Sequence, residues 1–298
     1  MPGFASQVAD VGGTSSRYFV GGEGPPVILV HGLNGAATNW TELAPLLGRR
    51  RRVLVPDLPG HGRSEPLPGL HDLGALAAAV GAIAERERML PAPVVGHSMG
   101  GAVALRIAAD RPADVDALVL IESAGITSTT RRAEIALALA GVFTPARKAS
   151  RFRHAIARRR RLRQAVLGYW GAVDARGLTP AAVLGFLEGA ALSTDYASAA
   201  GALVRADPRL ELDRVRCPAL VVWGARDRVV PLADGFEFAR RLRAPIRTIP
   251  AAGHLLIGER PRECAEVVEE FLDRVREVDE LPVDAELRGD ALGERLDA

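Results

Sequence analysis

The sequence predicts an α/β fold, with a mostly parallel, twisted β-sheet flanked by helices and an inserted helical cap. Short apolar runs bounded by turn residues recur along the chain, and helix-like stretches separate most of them. Strands that alternate with helices need crossover connections, which favour a parallel sheet with both faces covered. One long interval without such a run predicts the cap. The apolar runs lie at residues 27–30, 53–55, 94–95, 117–121, 219–223 and 247–249.

The remaining elements follow from periodicity and turn residues. Residues 17–20, before Gly21 and Gly22, are a weaker candidate for an antiparallel edge strand. Between residue 124 and about residue 215, alanine, leucine and arginine recur at helical spacing, and turn residues divide the interval into about four helices. We therefore assign residues 1–124 and 208–278 to the core of the fold and residues 125–207 to the cap. Residues 259–278 have the pattern of a closing amphipathic helix.

Composition limits the class of protein. A chain of 298 residues with 48% apolar and 25% charged residues is typical of a soluble globular protein, with one large domain or two smaller ones. No apolar run is long enough to span a bilayer, so we expect no integral membrane association. Residues 1–12 carry no secretory signal pattern, and Cys217 and Cys264 stand in no metal-ligand spacing. These observations predict a cytoplasmic protein with two inert, buried thiols.

Charge is distributed unevenly, although the net charge is only +2. Between residues 131 and 163 there are eleven cations against Glu134 alone, and between residues 277 and 298 there are eight acidic residues against two arginines. Residues 279–298 are therefore predicted to form an acidic, flexible tail that could fold back on the basic segment. We interpret the basic segment as a solvated helix surface. Attraction of an anionic substrate or an acidic membrane surface is the alternative, and no nucleic-acid-binding module is recognisable.

The motif with the clearest chemistry is Gly96-His97-Ser98-Met99-Gly100. It follows the apolar run Pro93-Val94-Val95 and opens an alanine-rich helical pattern. In a strand–turn–helix context, the glycines of Gly-x-Ser-x-Gly permit a strained turn that exposes the serine hydroxyl above the sheet. Ser98 is therefore the candidate nucleophile.

A serine hydroxyl needs a base within hydrogen-bond reach and a third group that orients the base. Of the six histidines, His254 is the best candidate base, because it follows the last apolar strand at the carboxyl edge of the sheet, where the serine turn also emerges. His97 is adjacent to Ser98 in the turn, so we expect its side chain to point away and to pack beneath the turn. His31 and His61 lie in glycine-flanked loops.

The candidate orienting acid is Asp227, in the loop after the strand that ends at Gly224. Glu122 competes with it, because it follows the neighbouring strand and could reach the same histidine. Charge that develops on a carbonyl oxygen under attack is stabilised by preorganised amide hydrogens. We expect those of Met99, which begins the helix after the serine, and of Leu33, in the loop after the first parallel strand.

Over about residues 17–277, the chain resembles the cap-bearing enzymes of the α/β-hydrolase fold family in its motifs and in their order along the sequence. The serine, acid, histidine order is the one this family uses. The resemblance implies that Ser98 attacks, His254 shuttles the proton, Asp227 holds the histidine, and residues 57–64 form a structural loop. The matching segments are His31-Gly32-Leu33, Asp57-Leu58-Pro59-Gly60-His61-Gly62-Arg63-Ser64, Gly96-His97-Ser98-Met99-Gly100-Gly101, Gly224-Ala225-Arg226-Asp227 and Gly253-His254.

The expected activity is hydrolysis of a carboxylic ester, thioester or lactone of a small molecule, with neither a metal nor an organic cofactor. The serine at position 98 argues against epoxide hydrolases and haloalkane dehalogenases, which carry an aspartate nucleophile. Carbon–carbon bond hydrolysis, acyl transfer and a peroxidase-type reaction are alternatives on the same fold, and a non-catalytic ligand-binding relative is a third class. The sequence indicates neither nucleic-acid binding nor an oligomeric state.

Substrate choice is predicted to be set where the cap closes over Ser98, at a pocket of apolar side chains. The candidate lining residues are Trp40, Phe143, Tyr169, Trp170, Phe186, Leu187 and Leu256.

Overall fold

A single eight-stranded sheet organises the molecule, with strand order β1-β2-β4-β3-β5-β6-β7-β8. The computed structural model describes residues 1–69, 72–127 and 145–279. β3 to β8 run parallel to their neighbours, whereas β2 pairs antiparallel with β4 and with β1. The strands are β1 (Phe4–Val11), β2 (Thr14–Gly21), β3 (Pro26–Val30), β4 (Arg52–Pro56), β5 (Val94–His97), β6 (Leu118–Ile121), β7 (Ala219–Gly224) and β8 (Ile246–Ile249). The predicted α/β class with a mostly parallel sheet is confirmed.

The edge of the sheet differs from the prediction. Residues 17–20 belong to β2, which is not an edge strand, because the unpredicted β1 pairs along its outer side. β1 has no apolar run, since most of its residues face solvent and only Ala9 and Val11 are buried. The signal that could have found it is Gly12-Gly13, whose positive φ angles of 62° and 80° suit a tight hairpin turn.

Helices cover both faces of the sheet. One buried apolar cluster joins α2 and α3 to Ile28 and Val94, and the other joins α1 and α11 to Val27 and Leu29. Successive side chains of a strand point to opposite faces, so these neighbouring residues of β3 enter different clusters. The helices outside the β6–β7 connection are α1 (Ala44–Leu47), α2 (Leu73–Arg86), α3 (Met99–Asp110), α9 (Leu232–Leu242), α10 (Leu256–Glu259) and α11 (Pro261–Asp279).

The β6–β7 connection carries five helices among its described residues, where the sequence predicted about four. They are α4 (Pro145–Ser150), α5 (Arg153–Arg158), α6 (Arg160–Leu167), α7 (Pro180–Leu192) and α8 (Tyr196–Arg205), which we call the helical insertion. α7 lies on the loop after β3, because the carbonyl of Gly185 accepts hydrogen bonds from Thr38 Oγ1 and Asn39 Nδ2, both at 3.1 Å. The insertion therefore covers the carboxyl edge of the sheet.

The structure bears differently on three further predictions, which concern the tail, the two cysteines and membrane-spanning helices. The tail, residues 279–298, lies outside the described residues except for Asp279, which ends α11. Cys264 is buried, but Cys217 is only half-buried, so one of the two thiols is more accessible than predicted. None of the described helices combines the length and apolar composition that crossing a bilayer requires.

Candidate active site

Ser98 occupies a strained turn between β5 and α3. Its φ angle of 56° and ψ angle of −123° lie outside the regions that non-glycine residues favour. The turn is possible because its neighbours lack side chains: a Cβ on Gly100 would overlap the carbonyl of Val30, and one on Gly96 would overlap the carbonyl of Gly100. Strain of this kind persists where the surrounding structure overdetermines the backbone, and it is concentrated at functional sites. The side chain of Ser98 is left partly exposed.

His254 lies between Ser98 and Asp227. Its Nε2 is 3.0 Å from Ser98 Oγ, and its Nδ1 is 2.8 Å from Asp227 Oδ2. These three side chains come from the loops after β5, β7 and β8, which all leave the carboxyl edge of the sheet. The hydroxyl can donate to Nε2 only in the tautomer that carries the proton on Nδ1, and that proton then bonds to the carboxylate. The arrangement can therefore withdraw a proton from Ser98.

The carboxylate of Asp227 is held by its own loop. Oδ1 accepts hydrogen bonds from the amides of Val229 at 2.7 Å and Val230 at 3.0 Å, and the side chain is fully buried. Because Oδ1 is engaged in this way, Oδ2 is directed at His254. No ion pair with Arg226 or Arg228 is present among the described residues.

Glu122, the competing acid, lies close by but does not contact the ring nitrogens of His254. Its Oε1 accepts a hydrogen bond from the amide of Gly224 at 3.1 Å, and its Oε2 is 3.4 Å from His97 Nε2. The residue is fully buried, and this desolvation raises the pKa of its carboxyl well above the ordinary value. Desolvation therefore favours the neutral form of Glu122, which binds the strand that leads to Asp227 through the amide of Gly224.

His97 packs beneath the turn. Its Nε2 donates to the carbonyl of His254 at 2.8 Å, and its ring lies 5.1 Å from that of His254. Trp40 meets it edge-on at 6.5 Å. Burial lowers the pKa of His97, which keeps the ring uncharged. His97 supports the backbone of His254 and does not point at the serine hydroxyl.

The residues expected to supply the two oxyanion amides, Met99 and Leu33, lie in the two segments that meet at Ser98. Met99 is the first residue of α3, so its amide has no carbonyl acceptor within its own helix. The loop that carries Leu33 passes directly over the serine, since a Cβ on Gly32 would lie 2.9 Å from Ser98 Cβ. This close approach explains why a glycine precedes Leu33. The free amide of Met99 is suited to a negatively charged oxygen, and the amide of Leu33 is the predicted second donor.

The loop at residues 57–64 stabilises the neighbouring loop after β3 through hydrogen bonds. Asp57 accepts hydrogen bonds from Arg17 Nε at 2.6 Å and from the amides of Ala37 at 2.7 Å and Arg63 at 2.9 Å. His31 accepts from the amide of Leu58 at 2.9 Å. These bonds join the loops after β3 and β4, and they fix the backbone that leads to Leu33.

The predicted pocket residues have different environments. Four of them are buried in the same apolar cluster, and Trp170 is half-buried against it. Tyr169 is 80% exposed, so it faces solvent and not the serine. Phe143 lies outside the described residues. The four buried residues are Trp40, Phe186, Leu187 and Leu256.

Sequence reasoning missed two residues that hold His254. The carbonyl of Gly171, in the helical insertion, accepts from the amide of His254 at 3.0 Å. Glu259 accepts from the amide of Gly253 at 3.0 Å and from those of Val173 and Asp174. The contacts of Gly171 with His254 and of Glu259 with Val173 and Asp174 join segments more than 80 residues apart, so no local pattern could have revealed them.

One group of potential metal ligands occurs among the described residues, namely His97, Glu122 and His254. Both ring nitrogens of His254 already bond to Ser98 and Asp227. A metal ion at this position would compete with both hydrogen bonds, so the donor set does not suit a resident metal.

A family model described as the alpha/beta hydrolase family matches residues 27–267. The dihydrolipoyllysine-residue acetyltransferase component of the acetoin cleaving system of Pseudomonas putida is 34% identical over 292 residues, 91% of this chain and 70% of that protein. A pimeloyl-(acyl-carrier protein) methyl ester esterase of Chromobacterium violaceum is 30% identical over 254 residues, 85% of this chain and 96% of that enzyme. Among solved structures, a bacterial membrane phospholipase A is similar, with a TM-score of 0.72 and 27% identity over 92% of this chain and 87% of that one.

Proposed function

Because the chain belongs to the alpha/beta hydrolase family, we propose that it is a serine hydrolase that cleaves carboxylic esters through an acyl-enzyme on Ser98. The observation that carries this proposal is the continuous pair of hydrogen bonds from Ser98 Oγ through His254 to Asp227, at 3.0 and 2.8 Å. Thioesters and lactones contain the same reacting carbonyl and belong to the same proposed class.

In the acylation half, Ser98 Oγ attacks the ester carbonyl carbon while His254 Nε2 takes the hydroxyl proton. The buried carboxylate of Asp227 stabilises the imidazolium that forms. Negative charge moves to the carbonyl oxygen, where the amides of Leu33 and Met99 donate to it. The intermediate collapses when His254 returns its proton to the leaving alcohol.

In the deacylation half, a water molecule takes the position that the alcohol has left. His254 removes a proton from this water as it attacks the acyl carbon, and the same two amides hold the new oxyanion. Collapse returns the proton to Ser98 and releases the carboxylic acid. The net reaction consumes one ester and one water and yields one acid and one alcohol.

The ester class is supported by the kinds of protein that this chain is similar to. One relative is named a methyl ester esterase, and one structural neighbour is named a phospholipase A. Both names refer to enzymes that act on ester bonds.

A fluorophosphonate probe tests the proposal directly. We expect the wild-type chain to be labelled covalently and the Ser98→Ala variant to be unlabelled, because the reaction needs an activated serine. Ser123→Ala is a matched control, since this buried serine donates only to the carbonyl of Ala124. An unlabelled wild type would contradict the proposal and favour a non-catalytic ligand-binding protein.

Acyl transfer is a second candidate, because the relative at 34% identity is named an acetyltransferase component. Both candidates pass through the same acyl-enzyme and differ in what removes the acyl group. Turnover of p-nitrophenyl esters of increasing chain length in water, with and without an added alcohol or thiol, separates them. For a hydrolase, we expect the acid to remain the main product at all acceptor concentrations. Turnover of diketones but not of esters would instead indicate carbon–carbon bond hydrolysis.

A further inference from the structure

Within the part of the chain that the structure describes, the helical insertion carries a surface of positive charge that no acidic residue neutralises. From residue 145 to residue 173 the chain has nine arginine and lysine residues and no aspartate or glutamate. Seven of these cations are exposed, and we call them the cationic face. They are Arg147, Lys148, Arg151, Arg158, Arg159, Arg160 and Arg161.

None of these seven side chains forms an ion pair within the described part of the chain. Elsewhere arginines are commonly neutralised by acids: Arg51 pairs with Glu269 and Asp273, and Arg106 pairs with Asp110 and Glu211. Some exposed arginines elsewhere, such as Arg49 and Arg262, also lack an ion pair among the described residues, so the distinguishing feature of the cationic face is its density, with seven unpaired cations between residues 147 and 161. The cationic face is available to an anionic partner.

Two exposed aromatic side chains belong to the same region. Phe152, between Arg151 and Arg153, is 68% exposed, and Tyr169 is 80% exposed. Arg161, Ala165 and Tyr169 are exposed at intervals of four residues, with Tyr169 two residues beyond the end of α6. Exposed aromatic rings beside cations suit a partner that has both charged and apolar parts.

The opposite side of the same segment is anchored in the protein. Ile156, Ala157 and Leu167 are buried in the apolar cluster of the core. The buried guanidinium of Arg163 donates to the carbonyls of Ala157 and Leu178, which joins α5, α6 and the turn before α7. The segment that carries the cationic face is therefore packed against the rest of the protein.

The helix dipole adds to the argument for an anion. α6 begins with Arg160 and Arg161, and no acidic residue lies in its first turn. Positive side chains at a helix N-terminus are unfavourable, whereas an anion there is stabilised by the free amides and the dipole. An anionic partner would therefore relieve a repulsion that the described residues leave in place.

Tyr169, one of the two exposed aromatics, lies near the candidate active site along the chain. It is two residues from Gly171, whose carbonyl accepts a hydrogen bond from the amide of His254. A Cβ on Gly171 would lie only 2.9 Å from the Cβ of His254. A partner that contacts Tyr169 would therefore lie close to the segment of the helical insertion that meets His254.

We propose that the cationic face, with Phe152 and Tyr169, binds the anionic surface of a lipid bilayer. Clusters of four to eight basic residues are attracted to anionic headgroups, and interfacial aromatics insert at the headgroup level. Both requirements are met here. The corollary that ester lipids reach Ser98 from the bilayer rests on the proposed function, whereas the binding itself does not.

Two other anions could occupy this face. The acidic tail of the chain carries six acidic residues from Glu280 onward, and a nucleic acid carries phosphates. A bilayer is favoured over both because it supplies an apolar layer for Phe152 and Tyr169 directly beneath its negative charges.

Sedimentation with lipid vesicles tests the proposal without any need for activity, and the full chain with Ser98→Ala is used so that no lipid is hydrolysed. We expect binding to vesicles of phosphatidylcholine with 30% phosphatidylglycerol at 0.1 M salt, little binding to pure phosphatidylcholine, and weaker binding as salt is raised. Arg160→Glu with Arg161→Glu should weaken binding at least tenfold. We expect these changes not to destabilise the fold, because acidic side chains are favourable in the first turn of a helix such as α6.

A matched control reverses the same amount of charge elsewhere. Arg49→Glu with Arg262→Glu changes two exposed arginines that lie outside the helical insertion. We expect this variant to bind vesicles within about twofold of the parent chain. Phe152→Ser should weaken binding without changing its dependence on salt.

Several outcomes would overturn the proposal. These are equal binding to neutral vesicles, equal loss in both charge-reversed variants, or stronger binding to a single-stranded oligonucleotide than to the vesicles. Binding that appears only after the six tail acids are changed to amides would make the tail the occupant and the proposal wrong. Fluorophosphonate labelling of the Ser98 chain is measured separately, so a failure of the esterase proposal would leave the vesicle result intact.

Discussion

Two carboxyl groups lie near His254, and their surroundings separate their chemistry. Asp227 accepts two backbone amides through one oxygen and presents the other to Nδ1 of the histidine. Glu122 is fully buried, and its raised pKa favours the neutral acid. A neutral carboxyl cannot stabilise an imidazolium as an anion does, so we assign the orienting role to Asp227.

Substitution by the matching amide tests this assignment. We expect Asp227→Asn to lower kcat for a p-nitrophenyl ester by about 10⁴-fold, because the amide favours the wrong histidine tautomer. Glu122→Gln should change kcat by less than about tenfold, because an amide oxygen can still accept from Gly224. Circular dichroism checks that both variants fold. Loss of activity in the glutamine variant alone would show that Glu122 is the functional acid.

At the scale of elements, the serine turn depends on how closely α3 approaches β3. A methyl group at Gly100 would overlap the carbonyls of Val30 and His31, so the helix can start there only without a side chain. The amide of Met99 is one residue before this contact. The packing of a helix on a strand thus positions a candidate oxyanion donor.

Two glycine-to-alanine changes separate this close contact from ordinary helix propensity. Gly100→Ala should destabilise the fold by about 1–3 kcal/mol, as overpacked cores do, and should lower turnover as well. Gly201→Ala, within α8, should be neutral or stabilise by up to about 1 kcal/mol, because the new methyl group meets only the far end of the long Arg205 side chain. Urea unfolding measures both effects. An equally stable Gly100→Ala chain would contradict the close approach.

The helical insertion shows what an element adds beyond its own stability. Gly171 has a φ angle of 104° and holds the His254 amide, and Glu259 binds backbone amides on both sides of that contact. The insertion is therefore part of the support of His254.

At the scale of the whole molecule, buried histidines make stability depend on pH. His31 is fully buried, and desolvation, with the nearby charge of His61 as a smaller cause, lowers its pKa from 6.5 to about 3. In the unfolded chain this ring binds a proton below pH 6.5, whereas in the folded protein it does not. Its stabilising contribution is therefore complete above pH 6.5 and is lost as the pH falls toward 3. His97 acts in the same direction, and Glu122 acts in the opposite one.

A His31→Gln variant isolates this contribution. Between pH 4 and 5.5 the free energy of unfolding of the wild type should fall with decreasing pH by about 1.4 kcal/mol per unit more steeply than that of the variant, which lacks the titrating ring. Urea unfolding at several pH values in this window gives both slopes. Parallel slopes would show that the folded protein protonates His31.

The order of apolar runs and motifs was sufficient to predict the parallel sheet, the family and the segments that supply Ser98, Asp227 and His254. Each of these depends on local signals: strand runs, a glycine-framed serine and the loops that follow the strands. The hairpin partner β1 escaped prediction because its exposure leaves no apolar run. The exposure of Tyr169 escaped prediction because an aromatic residue has the same identity in a core and on a surface.

Sequence alone determined which residues could carry the chemistry, since spacing and residue type suffice to place a nucleophile, a base and two rival acids at one edge of a sheet. Only the tertiary structure decided which acid meets His254, and it also revealed the supporting contacts of Gly171 and Glu259. The physical reason is the separation in sequence between the residues that interact. Strand and helix patterns arise from neighbours along the chain, whereas a hydrogen bond of 2.8 Å depends on how loops more than twenty residues apart pack together.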